Sequence, residues 1–518
     1  MQGKMPLRLN EHTVHSPHPN RPAQSIAAER YLGRRANLLL LLLLTALTAY
    51  RIIVLHWAGF SLYVDEAQYW TWAQHLDWGY YSKPPVVAAV IAATTSICGN
   101  SELCVKAGSL ILYPLAAWLI FEIARRLFDT RTGFWSSIIF VTLPGAAFSA
   151  MIISTDVPLF LCWTLALYAY VRALDGDQWR WWLLAGVAGG IGLLTKYTMA
   201  IFAVSALLHL AASRDLRHHL RSPKLYTALA LAAAIFAPNL WWNAAHDWPT
   251  LRHTTEISGL EQRHGLQWHE FFAFLGGQAA ILGPIFFAVW LLQLGLGMRK
   301  WTADPRYRLL ACFSLPFLAI ISIEGLFGRA NANWAAMTYT AATVFVVARM
   351  IDKKRWGLLV AGIVLNLSVT AIAYHYDYLT RLAGIELDRR IDVFKRVRGW
   401  DDIGKQMSGI KAQHPDALLL ANDRDILAEL EYYVLPHPLD AVQWNPRHVI
   451  DSHYALTTTM NDKIGRDFLY VTRAPRLPPE VFNSFTSAQP LPSLYVEIHP
   501  DYVLDFSVWL LRDFRGYQ

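Results

Sequence analysis

Two adjacent carboxylates, Asp65 and Glu66, stand at the head of the stretch YVDEAQYWTWAQHLDWGYYSKPP, and Lys83 precedes its proline pair. A carboxylate can take the proton of an attacking hydroxyl, and a cation can neutralise a departing anion. Neighbours on a helix point roughly 100° apart, so both carboxylates can hardly serve one reacting atom. One would face the site while the other orients a neighbour or a cation. A structural alternative stands beside this: Asp65 as N-cap of the helix EAQYWTWAQHL. Further charged residues fall at corresponding places along the chain. They are Asp156 in STDVP, Lys196 in LLTKYT, Arg329 in GRANANW, and Arg51 within a leucine-rich run. Each has its own structural alternative. Asp156 ahead of Val-Pro is a helix-cap pattern, Lys196 can snorkel, Arg329 can meet a headgroup, and Arg51 can face the bundle or reach outward.

The elements that must position these residues are membrane spans. The 518 residues are 54% hydrophobic and only 16% charged, with 21 Trp and a mean hydropathy of +0.26. Such a chain is expected to be polytopic. Eleven apolar segments are long enough to count as candidate spans: roughly 37–57, 102–126, 132–151, 157–174, 180–195, 197–212, 224–243, 270–297, 308–326, 334–350 and 356–375. Residues 1–35 read as a disordered tail without a signal peptide. The segments Val86–Ile97 and the aromatic stretch before it, including Tyr80 and Tyr81, read as surface-lying helices of a loop over 59–101. Residues 376–518 alternate strand-like runs (ALLLAN, DFLYVTR) with a helical one (RDILAELEYYVL), and read as a small α/β domain.

The net charge of +7 sits in short loops between apolar segments, which points to topology and away from nucleic acid. Arg30, Arg34 and Arg35, then Arg125, Arg126 and Arg131, then Arg214 to Lys224, Arg299 to Arg308, and Arg349 to Arg355 all fall on one side when the N-terminus is cytoplasmic. The 59–101 loop, Asp156, Lys196, Arg329 and the C-terminal domain then face the periplasm. Cys162 and Cys312 read as packing residues, and Glu122 as a partner of Arg125 or Arg126. Cys98 and Cys104 read as free thiols, a disulfide being the lesser alternative.

The loop DEAQYWTWAQHLDWGYYSKPPVVAAVI resembles the first exported loop of bacterial family 39 C-type membrane glycosyltransferases. These are relatives of protein O-mannosyltransferases and of the lipid A aminoarabinose and galacturonic acid transferases. The similarity continues in order through SELCVKAGSLILYPLAAWLIFEIARRLF, STDVPLFLCWTLALYAY, LLTKYT, PNLWWNAAHDW, FLGGQAAILGPIFF and GRANANWAAMTY. It implies an inverting enzyme that takes a sugar from a polyprenyl-phosphate donor at the membrane. The acceptor would be a lipid such as lipid A, or a protein hydroxyl. Asp65 takes the place of the family's acidic residue and, with Glu66, is expected to be catalytic. Lys83, Lys196, Arg329, Arg51, Asp156 and Tyr81 are expected to bind substrate or its phosphate. Relatives commonly carry His where this chain has Lys83, and a charged Lys is no ligand for a hard cation. A divalent ion held by Asp65, Asp156 and His253, or by His246, stays open. A flippase for the lipid-linked sugar is the rival reading; it would place its charges at mid-bilayer, where this chain has few.

Overall fold

The computed structural model describes residues 23–259, 265–296 and 302–518. Arg299 and Lys300 lie outside the described residues, as do the first 22 residues of the expected tail. From Ala23 the chain is already helical, continuously to Ala58, so the expected tail to residue 35 is shorter at its C-terminal end. The chain divides into two compact units. The first comprises residues up to Val54, Lys106–His246 and Thr254–His375; the second comprises Leu55–Val105, Asp247–His253 and Tyr376–Gln518.

The first unit is helical. Six helices are long and apolar enough to cross a bilayer: Gly33–Ala58, Glu102–Leu127, Asp156–Gly176, Pro223–Ala245, Pro305–Phe327 and Trp356–Tyr374. A seventh span arises if Trp268–Leu282 and Pro284–Gly295, bent by 112° at Gly283, act as one. The other expected spans are helical but short or broken. Pro144 splits 132–151 into Thr130–Thr142 and Pro144–Ser149, and 180–195 and 334–350 form 15-residue helices. Tyr197–Ala212 is likewise a shorter apolar helix. Apolar side chains face outward along these rods: Leu38 and Leu42 are about 60% exposed, and Val364 56%. Outward leucine and valine on hydrogen-bonded helices is what a lipid solvent requires. The protein is a multi-pass membrane protein.

The cationic loops of this unit meet one another at one end. Arg126 pairs with Asp175, and Lys224 Nζ donates to Asp177 at 2.5 Å. Arg306 lies over the Phe128 ring at 4.8 Å, Arg131 over Trp356 at 3.9 Å, and Arg308 donates to Ser213 Oγ at 3.4 Å. Arg125 pairs with Glu122 as expected. Asp156 starts the helix that ends beside Asp175 and Asp177. Twenty-one residues at 1.5 Å each put Asp156 about 30 Å from that end, the thickness of a hydrocarbon core.

The second unit carries a five-stranded sheet in the order β2-β1-β3-β5-β4, with β1 Leu418–Ala421, β2 Val442–Gln443, β3 Phe468–Thr472, β4 Phe485–His499 and β5 Tyr502–Phe514. The first three strands are parallel, and β5 runs antiparallel to β3 and β4. Strands β1 and β3 are buried throughout and read as unbroken apolar runs, as parallel central strands do. Pro490 and Pro492 sit in β4, at the sheet edge where a missing N–H costs no ladder bond. Phe468, Tyr470, Phe485, Leu511 and Phe514 build its core. The helices Val64–Gln74 and Arg424–Tyr433 pack together. Cys98 and Cys104, which follow Val86–Ile97, form a disulfide, which corrects the reading of two free thiols. Spaced six apart across the Gly99 turn, their Cα atoms come within 5.9 Å, inside bridging range. Cys162 and Cys312 are buried and free, as expected.

Candidate active site

In the second unit the stretch that opens with Tyr63 forms a helix, Val64–Gln74. Its first turn is closed by Glu66, whose Oε2 accepts the Tyr63 backbone N–H at 3.0 Å. Glu66 is 1% exposed. It is therefore the capping carboxylate, and the cap alternative given for Asp65 falls to Glu66 instead. Asp65, one residue earlier, keeps its side chain 43% exposed. Among the described residues its carboxylate meets one partner, Arg424, whose Nη2 lies 3.3 Å from Oδ1.

Arg424 is a residue that the sequence did not single out. Asp423 caps the Arg424–Tyr433 helix by accepting the Asp425 N–H at 2.9 Å, which places Arg424 in the first turn. Its Nη1 donates to buried Gln68 at 2.7 Å, one turn along from Asp65, and its Nε lies 3.4 Å from Asp425. The fork is thereby held in one orientation on two adjacent helices. His253 joins this group electrostatically. Burial, then the charges of Lys83 and Arg424, push its imidazole down to about 4 against the opposing pull of Asp65, so it is neutral at pH 7. Tyr81, buried as well, sets its ring 5.1 Å from that of His253.

A second buried carboxylate supports the helix from below. Glu431 Oε2 accepts Thr71 Oγ1 and Tyr454 OH, each at 2.8 Å. Burial lifts its carboxyl to about 8, so it is largely protonated at neutral pH. Trp72 stacks on Tyr80 at 4.4 Å with their planes 2° apart, fixing the return of the chain toward Lys83.

The first unit holds a different cluster. Lys196 Nζ pairs with Asp156 Oδ1 at 2.7 Å, and Asn333 Nδ2 donates to Oδ2 at 2.8 Å. Glu324 lies within electrostatic reach of Lys196. Thr155 occupies the N-cap position and Asp156 the first turn, so Asp156 is a pairing residue and its cap alternative falls away. Asn333 is held by this carboxylate. Arg51 is 2% exposed and faces the bundle. It donates to the Val141 carbonyl at 2.9 Å and to Tyr374 OH at 3.2 Å. Val141 lies in the last turn of the Thr130–Thr142 helix, where carbonyls lack helical partners and a cation is favoured. Of its two alternatives, facing the bundle or reaching outward, Arg51 takes the first. Arg329 is exposed, and its backbone N–H binds the Ser258 carbonyl at 2.7 Å.

Among the described residues no group of three or more His, Cys, Asp and Glu side chains is placed to hold a metal ion. His246 turns Nδ1 to the Trp242 carbonyl at 2.8 Å.

Comparison with known proteins shows which class of membrane protein carries these helices and this sheet. A family model described as dolichyl-phosphate-mannose-protein mannosyltransferase matches residues 82–242. The lipid A galacturonosyltransferase RgtD of Rhizobium johnstonii is 31% identical over 447 residues, covering 83% of this chain and 90% of its own. An undecaprenyl phosphate-alpha-4-amino-4-deoxy-L-arabinose arabinosyl transferase of Pseudomonas savastanoi is 28% identical over 204 residues, 36% of this chain and 37% of its own. The crystal structure of ArnT from Cupriavidus metallidurans bound to undecaprenyl phosphate superposes with a TM-score of 0.63 at 14% identity, over 91% of this chain and 97% of that one. The chain belongs to the bacterial family 39 C-type membrane glycosyltransferases and is a glycosyltransferase.

Proposed function

We propose that this enzyme sits in the bacterial inner membrane and moves a uronic acid sugar from polyprenyl phosphate to a hydroxyl of lipid A or a similar envelope glycolipid, with inversion. The acceptor oxygen attacks the anomeric carbon, the bond to the phosphate oxygen breaks, and the acceptor proton passes to Asp65. The single observation that carries this is the half-exposed Asp65 carboxylate at the head of its helix, held from one side by Arg424. One oxygen is steadied and the other edge is open to a hydroxyl. Lys83 is assigned to the departing phosphate, and Tyr81 to contacts with the substrates. Galacturonic acid is favoured over aminoarabinose because the similarity to RgtD runs along 90% of that protein, against 37% for the aminoarabinose enzyme.

The cationic loops are assigned to the cytoplasm by the positive-inside rule. The second unit is assigned to the periplasm, which the Cys98–Cys104 disulfide supports, since such bonds persist in oxidising compartments. The test is reconstitution in liposomes with undecaprenyl-phosphate galacturonic acid and lipid A, followed by mass spectrometry. A lipid A species heavier by one hexuronic acid is expected. Transfer from an aminoarabinose donor alone, supplied in parallel, would overturn the sugar assignment, and no transfer to lipid A from either donor would overturn the acceptor.

A further inference from the structure

A cavity of about 740 Å³ in the second unit lies beside Asp65 and is unclaimed by the transfer chemistry. Four arginines line it, Arg389, Arg396, Arg424 and Arg473, and no lysine does. Arg424 is engaged by Asp65 and Gln68, and Arg473 by Asp423. The other two have spare capacity. Among the described residues neither the Arg389 nor the Arg396 guanidinium meets a carboxylate; Arg389 lies over the Tyr502 ring at 5.5 Å and Arg396 touches Tyr63 OH at 3.3 Å.

These two side chains spring from a segment that is rigidly set. Asp392, fully buried, accepts Arg398 Nε at 2.8 Å, bonds His499 Nε2 at 2.7 Å, and accepts the Phe394 N–H at 2.8 Å. Asp501 accepts the Arg389 backbone N–H at 2.9 Å. Gly399, at a left-handed φ of 78°, starts the helix that places Trp400 in the cavity wall. That φ is one glycine adopts without strain and other side chains rarely take up.

We infer that this cavity binds an acidic saccharide, the phosphate- or carboxylate-bearing headgroup of the acceptor glycolipid, at a point remote from the reacting hydroxyl. Planar guanidinium forks match phosphate and carboxylate oxygens in pairs, which explains arginine throughout. Asp501 and Asp505 supply acceptors for sugar hydroxyls, and Tyr502 and Trp400 supply aromatic faces. The volume is that of a small-ligand site. Because Arg424 touches both this cavity and Asp65, an occupied cavity would fix the acceptor while its hydroxyl meets the carboxylate. The inference rests on the transferase reading for its substrate, and its test does not.

The experiment uses full-length protein in nanodiscs, titrated calorimetrically with glucosamine 1-phosphate, inorganic phosphate and N-acetylglucosamine. Two variants are compared: Arg389→Gln with Arg396→Gln, and Val503→Glu, which puts an anion in the wall at a residue already 40% exposed. Glucosamine 1-phosphate is expected to bind best, and both variants to weaken it about tenfold, the loss of charge-assisted bonds. In the transfer assay the acceptor KM should rise by a similar factor, with donor KM and kcat unchanged. Equal binding of the neutral sugar, or of free phosphate, would overturn the acidic saccharide as ligand. Unchanged binding in both variants would overturn the cavity as its seat, and a raised donor KM would reassign it to the donor. A protein that binds glucosamine 1-phosphate through these arginines yet transfers nothing would sink the transferase reading and leave the cavity standing.

Discussion

Two Asp–cation pairs, one in each unit, show how the same charges serve different ends. The Asp156–Lys196 pair is close, at 2.7 Å, with side chains only 9% and 18% exposed. Asn333 takes the second oxygen of Asp156, so both edges of that carboxylate are used. The Asp65–Arg424 pair is longer, at 3.3 Å, with side chains 43% and 41% exposed, and it uses one oxygen. A closed, buried pair fixes helices and depends on both members. An open pair contributes little to stability and leaves a basic edge for substrate. The difference is in what each carboxylate leaves over: Asp65 keeps an oxygen for the role proposed for it, and Asp156 does not.

The largest effect expected from this contrast is on turnover. Asp65→Asn should lower kcat about 10³-fold, within the range of positioned base catalysis, with the melting temperature unchanged. Near-normal transfer by that variant would end the assignment. Asp156→Asn should behave in the opposite way. It strands Lys196 beside an amide and should cost about 3 kcal/mol, read as lower yield and earlier thermal unfolding in detergent. Pairing it with Lys196→Met should recover much of that stability; no recovery would mean that the pair does not hold this end of the bundle.

A smaller effect separates support from chemistry beneath the Asp65 helix. The Glu431 carboxyl titrates near 8 in the folded protein, above the usual carboxylate value. The folded state thus holds a proton that the unfolded chain has lost between about pH 4.5 and 8, and stability falls as pH rises through that window. Glu431→Gln keeps the acceptor for Thr71 and Tyr454 and removes the titration. Its melting point should exceed that of the wild type by about 5 °C at pH 8.5 and match it near pH 5, measured by thermal shift. The smallest expected effect concerns His253. Its imidazole takes up a proton only near pH 4. The pH–rate profiles of the wild type and His253→Gln should therefore have the same shape between pH 6 and 8, and a limb near 6.5 lost in the variant would show that His253 titrates in catalysis.

Local signals in the chain carried most of the membrane unit. Leucine runs, prolines at helix starts and cations in short loops announced the rods and their common end, because lipid forces each span to satisfy its own backbone. The turn holding Lys196 and the helix start at Asp156 were readable for the same reason. Glu66 was legible only as one of two adjacent carboxylates. Its cap role depends on a Tyr63 N-cap that no side-chain rule announces. Arg424 was out of reach, since its tie to Asp65 spans 359 positions and leaves no local pattern. The β4–β5 hairpin was hidden by Pro490 and Pro492, which argue against a strand unless it is known to be an edge.

That long separation between Asp65 and Arg424 has a bearing on synthesis. At about 5 to 20 residues per second, the ribosome adds the arginine roughly 20 to 70 s after the aspartate. Through that interval the growing polypeptide is already threaded into the bilayer among its own lipid substrates. The Asp65 carboxylate meanwhile lacks the guanidinium that meets it in the finished fold. Translation through Arg424 thus completes the ion pair, and a copy stopped before it would leave the Asp65 carboxylate without that partner.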